Sequence, residues 1–288
     1  MGMTGNPRLA DAWRLHRAYL LNLAYQMLGD IGAAEDVAQE AFLRLARTEG
    51  VDDVRGWLTV VAGRLCLDQV RSAPSRHESP TDATVLEARV NPSPDPADRV
   101  TLDDQVSGAL LEMLRRLSPG ERVALVLHDV FKVPFDEIAE TVGRPVGTCR
   151  QLARRARAKI HAAGPPIADV SDNEHQAVTQ KFIAACATGD LAALTAVLDP
   201  AVWGAASFLV EPAPPPQVNH GPQAVATNLL RFLGSGTTLV GAPVGPPVVL
   251  GYAQRRLFAV LVLTIDNGRI LKIEATVDPS ARFSPSAP

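Results

Sequence analysis

Three cysteines are too few and too scattered to staple or metallate a chain of 288 residues. Cys66, Cys149 and Cys186 fall far apart inside helical patterns, with no CxxC pair and no neighbouring histidine. Their spacing implies neither a disulfide framework nor a zinc site, so buried thiols and no bound metal or cofactor are expected. Long apolar runs are missing too. The longest, Leu257 to Ile265, is too short to span a bilayer, and the amino terminus has no charged-then-apolar leader. The expectation is a cytoplasmic chain that meets no membrane. An excess of charge is also lacking: the formal net charge is −3, which excludes indiscriminate nucleic-acid binding. That total hides an asymmetry, because residues 105–164 carry ten basic and six acidic side chains while residues 1–75 carry eight and nine.

The length exceeds a single helical core, and the pattern changes character twice, which divides the chain into modules at 1–75, 105–164 and 165–288. Between the first two, residues 76–104 hold four prolines and seven acids against three arginines, with few large apolar residues. Such a segment is unable to bury a core and reads as an extended acidic linker.

The segment Leu117 to Ala162 carries the clearest chemistry. Ser118, Pro119 and Glu121 stand as N-cap, first and third helical residues, so a helix is predicted from Pro119. Lys132, Val133 and Pro134 interrupt the pattern before a second short helix, Phe135 to Val142, which Gly143 ends. A third helix follows from about Pro145 to His161. At 3.6 residues per turn, Cys149, Leu152, Ala153, Ala156 and Ile160 form one stripe. Arg150, Arg154, Arg155, Arg157 and Lys159 fan over the opposite arc with Thr148 and Gln151, and no acid lies between Arg144 and Lys159. Solvated charged faces commonly mix signs to gain i,i+4 pairs. A single-sign third helix after a helix-turn-helix pattern instead points to DNA. Thr148, Arg150, Gln151, Arg154 and Arg155 are the candidate readers of bases, with Arg157 and Lys159 on phosphate.

The run LSPGERVALVLHDVFKVPFDEIAETVGRPVGTCRQLARRARAKI resembles the promoter-reading fourth region of extracytoplasmic-function sigma factors. Members typically carry valine, a basic residue and serine after the glycine-threonine pair. Here Cys149, Arg150 and Gln151 stand there, a departure that bears on which promoter sequence is read. Upstream, LHRAYLLNLAYQMLGDIGAAEDVAQEAFLRLARTEG resembles the second region of the same factors. Leu20, Leu23, Ala24, Met27 and Leu28 give an apolar stripe before the Gly29–Asp30 break. From Ala33 to Arg47, Val37, Ala38, Ala41, Phe42 and Leu45 form the buried side of a second helix, leaving Leu43 on an acidic face. A lone exposed leucine is ordinary. The resemblance, however, implies that this helix docks on the beta-prime coiled coil of core RNA polymerase, through Asp36, Gln39, Glu40 and Leu43. A third helix is predicted where Val54, Trp57, Leu58, Val61, Leu65 and Val70 keep helical spacing. By the same analogy, promoter DNA at the minus-ten element meets the loop from Thr48 to Asp53, where an unstacked base is captured, although Asp52 and Asp53 do not favour phosphate.

After Gly164 the composition turns to helices at Glu174–Ala187 and Leu191–Leu198, then to strands at Val202–Val210, Thr237–Ala242, Val248–Ala253, Leu257–Ile265 and Arg269–Val277. A helix at Pro222–Leu233 interrupts the strands, and Asp266, Asn267 and Gly268 mark a tight hairpin. This order resembles the SnoaL-like α+β cone. The expected fold class is therefore multidomain: two all-α sigma modules followed by an α+β cone. Relatives fused in this way usually carry DGGGK-type and NPDKL-type motifs. The first is essentially missing at Trp203–Gly204–Ala205–Ala206, and Val277–Asp278–Pro279–Ser280 stands at the second.

Some cones use an internal carboxylate as a base, for which Asp199, Glu211 and His220 are the candidates; all three fall in turn regions, and a non-enzyme is expected. The fused arrangement implies an intramolecular contact of the cone with the second region or the linker, favouring a compact, promoter-competent or polymerase-docked form in place of a separate anti-sigma protein. The alternative is a free-standing helix-turn-helix regulator that senses a ligand through its cone.

Overall fold

The computed structural model describes residues 7–77, 116–161 and 172–283, except 211, 213, 235 and 243–246. The acidic linker therefore lies outside the described residues, apart from Arg76 and His77 at the end of a helix.

The first module is a three-helix unit: α1 (Pro7–Leu28), α2 (Ile31–Leu45) and α3 (Val54–His77). Gly29, at φ 72°, lets the chain reverse after α1 in a conformation that side chains with a Cβ disfavour. Asp30 then caps α2, its carboxylate accepting from the Ala33 N–H at 2.6 Å. Leu20, Leu23, Ala24 and Met27 are fully buried against Ala34, Val37, Ala38, Ala41 and Phe42, and Trp13 meets Phe42 edge-on at 4.8 Å. The helix α3 departs slightly from its predicted stripe. Leu58, Ala62, Cys66 and Leu67 are buried, whereas Trp57, Val61 and Leu65 are half-buried, because α3 also serves the second module.

That second module comprises α4 (Pro119–Leu125), α5 (Phe135–Val142) and α6 (Val146–His161). After Leu125 the helix widens into one π turn, Val126–Val130, closed by the Phe131 N–H on the Val126 carbonyl. This widening buries Val126, Leu127, Val130 and Phe131 together. The predicted second helix has the predicted bounds, and Gly143, at φ 67°, ends it with its N–H on the Ala139 carbonyl.

The third module is an α+β unit: α7 (Asp172–Thr188), α8 (Leu191–Val197), β1 (Leu198–Phe208), β2 (Gln217–His220), α9 (Pro222–Leu233), β3 (Thr237–Gly241), β4 (Val248–Ala253), β5 (Arg256–Asp266), β6 (Arg269–Val277) and α10 (Pro279–Phe283). The strands form one sheet in the order β2-β1-β6-β5-β4-β3, antiparallel except for the β1–β6 pair. Phe182, Leu194, Val225 and Phe258 belong to the core that joins its helices to the sheet. The β5–β6 hairpin turns at Asn267 and Gly268, both at positive φ, as the sequence implies. A difference appears at β2, read from sequence as a turn. It is a short, polar strand paired with Trp203–Ala206 of β1.

These modules share a core. Val240, Leu250, Tyr252 and Leu257 of the sheet pack with the buried residues of α1, α2 and the second module. The Tyr25 and Tyr252 hydroxyls are 2.7 Å apart and buried, and the Gly241 N–H of edge strand β3 donates to Asn22 Oδ1 at 2.8 Å. Between the helical modules, Arg122 donates to the Met27 carbonyl and Arg64 to the Glu140 carbonyl, each at 3.0 Å. Gly63 permits the closest approach there, since a Cβ on it would lie 2.7 Å from Thr141 Cγ2.

Candidate docking face and nucleic-acid interface

The basic helix α6 is held by the cap that starts α4. Glu121 accepts from the Ser118 N–H at 2.8 Å, closing the capping box, and the same carboxylate takes Lys159 Nζ at 2.6 Å. Burial opposes ionisation of Glu121, but Lys159 and the Ser118 cap outweigh it and hold the carboxyl below its ordinary range. On the inner side Cys149, Ala153 and Ala156 are fully buried, with burial pushing the Cys149 thiol up.

The polar face divides in two. Arg157 grips Asp129 of the π turn with both ends of its guanidinium, at 2.7 and 2.5 Å, and that hydrogen bond raises its pKa further. Lys159 is tied to Glu121. Arg150, Gln151, Arg154 and Arg155 are exposed, and Thr148 is half-buried beside them. Arg150 lies 5.8 Å from the Phe135 ring centroid, and among the described residues Arg154 and Arg155 meet no carboxylate.

On α2, Asp36, Gln39 and Leu43 are exposed and Glu40 is half-buried, four positions along one strip; Leu43 is 49 % exposed. Glu40 pairs with Arg44 at 2.8 Å. Asp36 is engaged from outside its own module. Arg255, in the turn between β4 and β5, donates from Nε to Glu35 at 2.7 Å and from Nη2 to Asp36 at 3.3 Å. Neither Glu35 nor Arg255 stands out in the sequence as a site residue. The signal available was the gap Gln254–Arg255–Arg256 between two predicted strands. Next to α2, the acidic loop has a structural use for Asp53, whose carboxylate accepts from the Gly56 N–H at 2.9 Å at the start of α3. Arg55 stacks 4.4 Å from the Tyr19 ring centroid on the same side.

In the α+β module, a half-open groove of about 60 Å³ runs between α9 and the β2-β1-β6 edge, lined among others by Ala206, Phe208, Asn219, Asn228 and Phe232. It is under half the roughly 150 Å³ of a cavity that takes benzene, and its described lining holds amides but no carboxylate or histidine. Asp199 spends its carboxylate on the Ala201 N–H at 2.8 Å, His220 is exposed on β2, and Glu211 lies outside the described residues. Among the described residues no helix is long and apolar enough to cross a membrane, and no cluster suits a metal ion.

Two family models match: Sigma-70 region 2 over residues 12–76 and Sigma-70, region 4 over residues 107–160. A relative from Mycobacterium tuberculosis, the probable ECF RNA polymerase sigma factor SigI, is 48 % identical over 285 residues, covering 96 % of each chain. The chain belongs to the ECF RNA polymerase sigma factors. It is a promoter-directing alternative sigma factor, and its relatives are transcription factors. ECF sigma factor SigJ of the same species is 40 % identical over 189 residues, 65 % of this chain and 61 % of that one. The crystal structure of SigJ aligns over 94 % of this sigma factor and 97 % of its own chain, with 25 % identity and a TM-score of 0.38. An NTF2-like protein from Burkholderia xenovorans LB400 aligns over 38 % of this chain and 92 % of its own, at 21 % identity and a TM-score of 0.27. By the two family matches the first module is region 2 and the second region 4, and the α+β module that follows them is called the extension.

Proposed function

We propose that this sigma factor docks on the beta-prime coiled coil of core polymerase through Asp36, Gln39, Glu40 and Leu43, and reads the minus-thirty-five element with the exposed face of α6. Thr148, Arg150, Gln151, Arg154 and Arg155 are the readers. Arg157 and Lys159 border the phosphate backbone, each already neutralised by a carboxylate, so they chiefly hold α6 in place. The observation that supports this best is the single-sign, solvent-facing arc of α6 on a helix-turn-helix scaffold.

The extension, in this reading, keeps the two promoter-binding regions in a closed resting form. Region 2 and region 4 touch through Gly63 and Thr141. Two elements centred about 25 base pairs apart are separated by roughly 85 Å of duplex at 3.4 Å per pair. Regions in contact do not span that distance, so engaging both elements requires them to part. The sheet of the extension packs on α1 and stands against that parting.

Run-off transcription from fragmented genomic DNA with purified core polymerase tests the reading. Discrete starts sharing two upstream elements are expected, with fewer or weaker starts for Arg154→Ala. Absence of specific starts at any concentration, beside an active control sigma factor, would overturn it.

A further inference from the structure

We infer that Arg255 is a plug in cis on the docking strip of region 2, occupying the Glu35–Asp36 pair in place of a basic side chain of core polymerase. This rests on the reading of α2 as the docking face.

Four observations place the plug. The β4–β5 turn holds Gln254 at φ 50° and Arg255 at φ 63°, a left-handed pair that tight hairpins take most readily with Asn or Gly. The turn therefore presents an arginine where the conformation alone would select against one. Second, the guanidinium reaches two carboxylates at once, Glu35 at 2.7 Å and Asp36 at 3.3 Å. Third, the seat is close: a Cβ on Gly32 would lie 3.2 Å from both Arg255 Nη1 and Asp30 Oδ1 and 3.6 Å from Arg255 Cζ, so a larger side chain in the first turn of α2 would make the guanidinium shift. Fourth, the hairpin is anchored behind its tip. Tyr252, three residues earlier, is buried with its hydroxyl 2.7 Å from that of Tyr25, and β3 is tied to Asn22.

The ion pair itself is half-exposed and contributes little to stability. Its effect is occupancy. A cation already at Asp36 excludes a second one, and a tethered side chain competes at a high effective concentration against a partner that arrives from solution. Leu43 and Gln39, two turns and one turn further along α2, are left open. The plug thus covers one end of the strip and leaves the polymerase a foothold at the other, from which it displaces Arg255 and loosens the hairpin. The surface fits a partner with an apolar contact for Leu43 and a basic side chain one to two turns away.

The test is equilibrium binding of fluorescently labelled full-length protein to purified core polymerase. Three variants are compared: Arg255→Ala, Arg255→Glu and Gly32→Val. The last fills the seat without removing the charge. Each should bind core roughly two- to fivefold more tightly than the parent, the range a surface ion pair spans, with Arg255→Glu strongest because it repels Glu35 and Asp36. Unaltered melting temperatures for the Arg255 variants establish that folding is intact. Asp36→Ala in the Arg255→Ala background separates the two ideas. If it weakens binding while Arg255→Ala alone does not tighten it, the plug is overturned and the docking face stands. If Asp36→Ala leaves binding unchanged, the docking face itself is overturned, and the plug with it.

Discussion

A basic side chain that already holds a carboxylate adds less to a DNA contact than one that does not, and α6 contains both kinds. Arg154→Ala, which removes a proposed base reader, should weaken promoter binding by about 1–3 kcal/mol and relax selectivity at the base it meets, with little change in the slope of log affinity against log salt. Arg157→Ala should leave promoter binding and that slope nearly unchanged, lowering the stability of region 4 by roughly 0.5–1 kcal/mol instead, since its pair with Asp129 is partly exposed. Promoter-binding titrations and thermal melts of the two variants distinguish these outcomes. The Glu121 carboxyl sets a pH dependence of its own. Its pKa in the fold is lowered from 4.5, so its stabilising effect is present above that value and is lost as pH falls through the lowered one. Melting temperatures of the parent and of Glu121→Gln should differ near neutrality and converge in strong acid.

At the scale of elements, the contact between α3 and α5 depends on a missing side chain. Gly63→Ala would put a methyl group 2.7 Å from Thr141 Cγ2, and overpacking of that kind costs about 1–3 kcal/mol. Because the strain falls between regions 2 and 4, each region should keep its own fold while the interface opens, giving faster hydrogen exchange in α5 and at the Arg64–Glu140 contact. The elements themselves were largely legible in sequence. The bounds of α5, α9, β4 and β6 match their predicted ranges, because caps, glycines and alternation mark both ends. What escaped has physical reasons. The strand β2 is four residues long, polar and preceded by prolines, so neither periodicity nor composition separates it from a turn. The π turn after Leu125 is set by packing of Val130 and Phe131, which no local preference announces. The seven basic-face residues of α6 were legible as a group. Their division into paired and unpaired members was not, because Asp129 and Glu121 lie 28 and 38 residues away from their partners.

For the whole molecule, sequence implies a contact of the extension with region 2 or the linker that favours a compact, promoter-competent or polymerase-docked form. The proposed closed resting form departs from that, and the residues of the contact are not legible in sequence. Arg255 and Glu35 are 220 positions apart, and nothing in either local pattern pairs them. Asn22 fastens the same two modules through the Gly241 N–H at 2.8 Å. Replacing it by Ala takes from the buried Gly241 N–H its side-chain acceptor, which costs about 1–3 kcal/mol. Limited proteolysis should then release the extension from the helical regions sooner than in the parent. In solution scattering, a compact chain of this length has a radius of gyration of roughly 19 Å. The parent should lie nearer that value than the Asn22→Ala and Gly63→Ala variants do.

The strand β3 ends the sheet, and what lies along it is a helix of another module. If regions 2 and 4 part to meet a promoter, as proposed, that edge loses its sheath. Its backbone then lies bare beside Val240, Leu250 and Tyr252, side chains that are buried in the closed form. Bare edges pair with other bare edges. In the proposed closed-to-open reading, activation sets a clock as well as a switch. The open molecule must be covered by polymerase, must fold back upon itself, or must be lost to its own kind, and a cell that makes much of it shortens the time it has.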